Sequence, residues 1–512
     1  MILRTVVTVG RMPIDPRTPV IVGVGQLTRR PSADTIEVVT EPVAMIGEAA
    51  RLAAKDSGVT DPAKLLRSVA SVRAVDVMSW RYTNTPAAIC AAIDAEPRQR
   101  IRSTTGGNSP QMLLNDAASA ILDGDVDSVL IGGAEAFASR RLARTLGAQL
   151  SWPTQGDESG PPERMGDNRP GSNDVEMSHS LALPTQVYPV FENALRAASG
   201  IPPTEHGDRV AAMWARFSEV AAGNPNAWSR DAVTASAIAT PSADNRLIGF
   251  PYTKVQCANL QVDQAAAVLL CSVEAARSAG IPQDRWVFPW SGADAHDHWF
   301  VSERADLHSS PAIAACGAAA LRLGGTTMDD VEHVELYSCF PSAVQIGAHA
   351  LGIDPFGGTR SLTQTGGLAF FGGPGNNYST HGIAAMVERL RRDRGIGLVT
   401  ALGWFATKHS VGLYSAEPPS TAFRAAKPQE DVDRRPRVAL VDEYEGPGTL
   451  ESFTVMHERD GTPALAIVAV RTPSGARTWA NSTEEAVMQW LTSAGAVVGT
   501  AVKVDATNGV TL

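Results

Sequence analysis

Cysteine is scarce: five residues in 512 (Cys90, Cys257, Cys271, Cys316, Cys339), an odd number without metal-ligand spacing. That argues against a disulfide scaffold and a cysteine-bound zinc, and points to a reducing, cytoplasmic compartment. Basic excess is also missing. Lys and Arg number 44 against 54 Asp and Glu, a net charge of −10, so neither nucleic acid nor an anionic membrane is expected as a partner. No run of about 18 apolar residues offers a membrane span. Residues 1–10 show no convincing cleavage site; with Met12 as an alternative start, 1–15 reads as an extension outside the core. There is no Gly-x-Ser-x-Gly, no Walker loop and no paired-carboxylate signature. Gly23-Val24-Gly25 lacks the third glycine of a dinucleotide fingerprint, and no helix opens after it. His296, His298 and His308 lack acidic or cysteine ligands at metal spacing, so no metal is expected. What remains is an ordinary globular composition, 44% hydrophobic and 19% charged, long enough for roughly two to four domains.

The most informative stretch is 102–136, RSTTGGNSPQMLLNDAASAILDGDVDSVLIGGAEA. A polar cluster, Thr104 to Ser109, opens a run whose apolar positions (Met112, Leu113, Ala117, Ala120, Ile121) recur three and four apart, as on a helix. Gly124 suits a left-handed helix cap. Val126 to Ile131 then reads as a buried strand, ended by Gly132-Gly133-Ala134-Glu135. Turn, helix, strand and glycine turn in that order place peptide N–H groups at the mouth of a sheet, aimed at an anion or oxyanion.

This unit resembles the nucleophile helix of the thiolase superfamily, with Gly124, Asp127, Gly132, Gly133 and Glu135 in the family spacing. That register puts Gly107 where the family has its cysteine. Three further loops can be compared. Leu336-Tyr337-Ser338-Cys339-Phe340 resembles the loop that carries Asn or His, with Tyr337 at that position. Gly366–Gly375 resembles the histidine loop, with Gly373 at the histidine. Thr400–Phe405 resembles the loop of the second cysteine, with Leu402 there. Asp263-Gln264-Ala265-Ala266 resembles Asp-Gly-Ala-Ala, with Gln264 at the glycine; Asp263 reads as the start of a strand.

Outside these loops the chain alternates helix and strand twice, over 16–290 and 291–417, implying two α/β halves with mostly parallel sheets. A Gly- and Pro-rich segment and a helical stretch, about 137–245, interrupt the first half and resemble the loop domain of sterol-carrier-protein-related thiolases. Residues 418–436 read as a linker. From 437 to 512 the periodicity falls to two, with strands expected at Arg437–Val441, Gly448–His457, Leu465–Arg471, Thr478–Trp479 and Val502–Val504. The expected fold is a duplicated thiolase fold in α/β/α/β/α layers with an inserted loop domain, followed by an antiparallel, OB-like β-barrel. The whole, roughly 17–510, resembles the thiolase-like proteins of type 1.

The resemblance implies an acyl-CoA-related protein of lipid or sterol metabolism, of a kind given acetyl-CoA acetyltransferase activity by similarity. Coenzyme A thioester is the implied ligand, with no permanently bound cofactor, and the state is a monomer or homodimer. Loss of the Cys/His/Cys set argues against the thiolase reaction. One alternative is retro-aldol cleavage of a β-hydroxyacyl-CoA, with Tyr337, Tyr378 and His381 as candidate acid/base residues. Another is a non-catalytic CoA-ester-binding or partner protein. Thr105, Gly106, Gly107, Asn108, Gly372 and Gly373 are the candidate cradle for the thioester. Ser379-Thr380 read as helix caps, making His381 a helix-start residue.

Overall fold

The computed structural model describes residues 14–155, 160–358, 360–493 and 498–511. Residues 1–13 of the expected N-terminal extension lie outside them. The first half contains β1 (Pro19–Arg29), α1 (Pro42–Asp56), β2 (Ser71–Ala74), β3 (Gln99–Ser103), α2 (Ser109–Asp123), β4 (Ser128–Ala136), β5 (Glu163–Met165) and β6 (Asp263–Ser272). Its sheet has the order β1-β6-β4-β2-β3-β5. The second half contains β7 (Phe288–His296), α5 (Pro311–Gly324), β8 (His333–Glu335), α6 (Pro341–Ala350), α7 (Tyr378–Asp393), β9 (Ile396–Gly403), β10 (Lys408–Ser415) and β11 (Arg424–Ala426). Its sheet has the order β8-β9-β10-β7-β11. The helices α3 (Pro184–Ser199) and α4 (Pro203–Gly223) belong to the insertion between β4 and β6.

The duplication is legible in the strand pairing. β1 and β6 are antiparallel, β6 and β4 antiparallel, β4 and β2 parallel. β7 and β10, β10 and β9, β9 and β8 repeat those senses in that order. The expected mostly parallel sheets are therefore mixed. The last core strand of each half enters beside the first and runs against it, a reversal that no local periodicity records. The layers follow: α1 covers the outside of the first sheet and α5 the outside of the second, while α2 and α7 touch strands of both and fill the middle.

Local sequence explains these placements. α2 starts with Pro110 in its first turn and ends on Gly124 at φ 87°, and Leu113, Leu114, Ala117, Ala118 and Ile121 are each at most 1% exposed. A helix apolar on several sides fits only between two sheets. Gly23 and Gly25 have a packing role: added β-carbons would stand 2.0 and 2.1 Å from the carbonyl oxygens of Ala53 and Ala49. Their missing side chains let α1 lie directly on β1.

Residues 418–436, expected as a linker, contain β11, which adds a parallel strand beside β7, and a short helix, Gln429–Asp433. The Gln429 side chain accepts the His296 N–H at 2.8 Å and donates to the His296 carbonyl at 3.0 Å, fastening the segment to the core. Arg437–Val441 makes only isolated bridges at Arg437 and Leu440, because its partners are loop residues and a strand edge.

The C-terminal domain is an antiparallel sheet of β12 (Gly446–His457), β13 (Pro463–Arg471), β14 (Arg477–Ser482), β15 (Ala501–Val504) and β16 (Val510–Thr511), with α8 (Glu485–Thr492) packed on it. The order is β14-β13-β12-β15-β16, and a bridge between Asn481 and Gly509 brings the final segment back to β14. Arg477, fully buried, ties this domain to the core. Its guanidinium bonds Glu451 at 2.6 and 2.7 Å and donates to the carbonyls of Val301, Ser302 and Arg304 at 3.2, 2.7 and 2.8 Å. Replacing Arg477 by Met removes the donor from the Ser302 and Arg304 carbonyls and leaves Glu451 with Arg471 alone. Urea denaturation is expected to show a stability loss of about 3–5 kcal/mol, the range for breaking a buried charge pair; a loss below about 1 kcal/mol would remove Arg477 as the anchor.

Candidate functional site

The 104–109 turn lies where β3 ends and α2 begins, and three neighbouring segments fix it. From the α7 side, Asn376 accepts the Gly106 N–H at 2.8 Å and donates to the Asp76 carbonyl at 2.9 Å, while the Ser379 hydroxyl donates to the Gly107 carbonyl at 2.7 Å. From the β2 side, Asp76 accepts from the Thr105 hydroxyl at 3.0 Å and from Arg102 Nε at 2.6 Å. From the start of β10, the Lys408 ammonium donates to the carbonyls of Thr105 and Asp167. Lys408 is 5% exposed, and burial pulls its pKa down to about 8 against the attraction of Asp167 and Asp76.

Gly107 faces Tyr337. A β-carbon added to Gly107 would stand 2.2 Å from the tyrosine oxygen and 2.5 Å from the Leu402 carbonyl oxygen. At Gly106 it would stand 2.7 Å from Lys408 Cε. The two glycines thus form a bare backbone strip with a phenol against one and a lysine stem against the other. Tyr337 is 7% exposed, and burial, with the neighbouring Cys339, raises its pKa far above the ordinary phenol value. It is a protonated donor at any working pH. Its backbone N–H is held by Thr400 Oγ1 at 2.9 Å, and its ring meets Tyr378 edge-on at a centroid distance of 5.4 Å.

Tyr378 and His381 do not reach the turn through their functional groups. The Tyr378 hydroxyl bonds Glu335 at 2.7 Å and Thr365 at 2.6 Å. Glu335 also accepts the Thr365 N–H, so this pair secures the 363–367 loop to β8. His381 corrects the sequence expectation. α7 begins at Tyr378, Ser379 and Thr380 lie inside it, and the histidine is fully buried. The helix starts early because the 3₁₀ turn Gly375–Asn377 leads straight into it. His381 Nδ1 lies 2.9 Å from Gln26 Oε1, its Nε2 has no partner among the described residues, and burial lowers its pKa to about 3.

The other cradle positions differ in kind. Asn108 is 6% exposed, with its side-chain oxygen unpartnered among the described residues. Gly372 has φ 113°, and Gln264 Oε1 would stand 2.5 Å from its β-carbon. Gln264 Nε2 meanwhile donates to the Phe371 carbonyl at 2.9 Å, so glutamine at the family's glycine position props up the 372–373 loop. Gly373 is under no such pressure: its nearest neighbours would be 3.4 Å away. Leu402 is a core residue, 4% exposed. Sequence reasoning missed Lys408 and Asp76, read Ser379 only as a helix cap, and placed Asn376 only among the neighbours able to fill the space at the histidine position. Each acts on the turn from another loop, and only the glycine pair itself hinted that something presses on it.

Fold and turn together define a thiolase-fold protein whose nucleophile position is a glycine covered by a tyrosine. Residues 428–509 match the family model of the thiolase-like protein type 1 additional C-terminal domain. The crystal structure of a monomeric SCP2-thiolase-like protein type 1 from Mycobacterium smegmatis is 33% identical, with a TM-score of 0.82 over 98% of this chain and 100% of that one. The chain belongs to the SCP2-thiolase-like protein type 1 family. More distant structures share the fold. The dimeric peroxisomal thiolase of Saccharomyces cerevisiae is 16% identical over 79% of this chain and 98% of its own, TM-score 0.54. An Ltp2-ChsH2(DUF35) aldolase is 18% identical over 78% and 99%, TM-score 0.57. No curated protein matches the sequence.

Two outcomes follow from the packing. Gly107→Ala forces the tyrosine or the Leu402 backbone to move, and is expected to cost about 1–3 kcal/mol, the range for core overpacking, in chemical denaturation; a neutral substitution would show that the space is free. The second concerns pH. His381 has its pKa lowered from 6.5 to about 3, so between those values the unfolded chain binds a proton that the folded chain refuses. Its contribution is complete above pH 6.5 and is lost as pH falls, by up to about 1.4 kcal/mol per pH unit. His381→Asn should flatten the stability profile between pH 4 and about 6.5; an unchanged slope would remove His381 as its source.

Proposed function

We propose that the protein binds a coenzyme A thioester at the Gly106–Gly107 turn and does not carry out the thiolase reaction. The supporting observation is the Tyr337 oxygen 2.2 Å from where a side chain at residue 107 would begin. An acyl-enzyme needs a nucleophile, a base to activate it and an acid/base partner. At the three corresponding places stand a glycine with no room for a side chain, Gly373 and Leu402. The turn retains the N-terminal end of α2, whose peptide dipoles favour a partly negative thioester oxygen. Tyr337 adds a neutral hydroxyl that makes no hydrogen bond among the described residues. The reading is of a CoA-ester-binding protein of acyl-lipid metabolism rather than an acetyltransferase.

That hydroxyl also supports a second reading, retro-aldol cleavage of a β-hydroxyacyl-CoA. Its raised pKa fits a proton donor to the departing fragment and not the base that starts the reaction. Tyr378 and His381 offer no base at the turn, since one is bonded to Glu335 and the other faces Gln26. The CoA-binding reading is therefore preferred.

Incubation with acetyl-CoA is expected to leave the intact mass unchanged, and acetoacetyl-CoA with free CoA is expected to show no thiolytic loss of absorbance above buffer. Gly107→Cys should restore neither. Calorimetry should show saturable binding of acetyl-CoA. Acyl-enzyme or steady turnover would overturn the loss of thiolase chemistry; absence of heat with every CoA ester tried would overturn the binding half.

A further inference from the structure

A cavity of about 70 Å³ lies between α3, α4 and the C-terminal sheet, apart from the turn. Phe250, Phe453 and Leu491 form its apolar wall, and Arg196, His206 and Glu192 its polar side. Glu192 is 1% exposed and fully engaged. It accepts from the Tyr252 hydroxyl at 2.5 Å and from Gln345 at 2.8 Å, and meets His206 Nε2 at 2.5 Å. His206 is 4% exposed and is held by Glu192. Arg196 lies one helical turn beyond Glu192. Its guanidinium makes no hydrogen bond or ion pair among the described residues, and burial alone lowers its pKa. A half-buried guanidinium without an anion, on the lining of a largely apolar cavity, is an incomplete charge arrangement.

We propose that this cavity binds a short-chain monocarboxylic acid, with the carboxylate on Arg196 and the hydrocarbon end against Phe250, Phe453 and Leu491. The planar guanidinium fork matches a carboxylate. The apolar wall and the nearby Glu192 carboxylate disfavour a second negative charge, which separates such an acid from inorganic phosphate. The small volume excludes a long acyl chain. The wall combines the inserted helices with the added domain, giving that domain a ligand-binding role independent of the turn.

The test is calorimetric titration of the full chain with butyrate, using butylamine and inorganic phosphate as controls. Saturable binding of butyrate alone is expected. Arg196→Gln should weaken it at least about tenfold, the value of a charge-assisted fork. Should that variant unfold, Arg196→Lys, which keeps the charge but not the fork, should weaken binding several-fold. No saturable butyrate binding, equal binding of butylamine or phosphate, or affinity unchanged in the folded variants would overturn the proposal.

Discussion

The Tyr337 hydroxyl and any β-carbon at residue 107 compete for one space, 2.2 Å apart if both were present. The Leu402 carbonyl narrows the same space from the backbone side, at 2.5 Å, so shortening the tyrosine alone would not reopen it. Glycine at 107 is therefore tied to residues in two other loops, and the turn is held rigid by Asn376, Ser379 and Lys408 around it. The contrast with Gly373 matters. There a side chain would find ordinary contacts at 3.4 Å, so glycine at the histidine position is not imposed by packing. One departure from the family pattern is structural and the other is chemical.

That rigidity depends on the duplicated architecture. α2 and α7 meet between the two sheets: the turn opens α2, and Asn376 and Ser379, which clamp it, sit at the N-terminal end of α7. Both helices are sealed by apolar faces, so their polar ends must satisfy one another. Asn376, Asn377 and Ser379 do so through carbonyls and N–H groups of the first half. Unpaired, these groups would each cost about 1–3 kcal/mol. The same demand buries His381 neutral and ties Tyr378 to Glu335, which is why two of three candidate acid/base residues serve the fold.

Much of this was legible in the chain. The turn, α2, its Gly124 cap and β4 followed from a single periodic run, because each is determined by residues within a few positions. The second half and the added domain were also legible as alternating and period-two patterns. The antiparallel entry of β6 and β10 was not, since a buried strand such as DQAAAVLLCS reads the same in either direction. Neither was β11, whose three residues pair only because β7 offers a free edge. His381 was misplaced because Ser379-Thr380 resemble a cap, while the preceding 3₁₀ turn had already begun the helix. The position of Tyr337 was readable from its loop, but its contact with Gly107 joins residues 230 positions apart and has no local signature.

Two arginines show how the added domain is joined to the rest. Arg477 is fully buried and spends its guanidinium on Glu451 and three carbonyls of the second half. It has no capacity left, and its role is attachment. Arg196 stands at another part of the same junction, is half-buried, and has neither acid nor carbonyl within bonding reach among the described residues. Had the junction only to hold two domains together, an apolar residue at 196 would serve as well at lower desolvation cost. Its place in a cavity walled by both domains is better accounted for by an external anion than by docking, and it points to a second ligand site at the junction, separate from the Gly106–Gly107 turn.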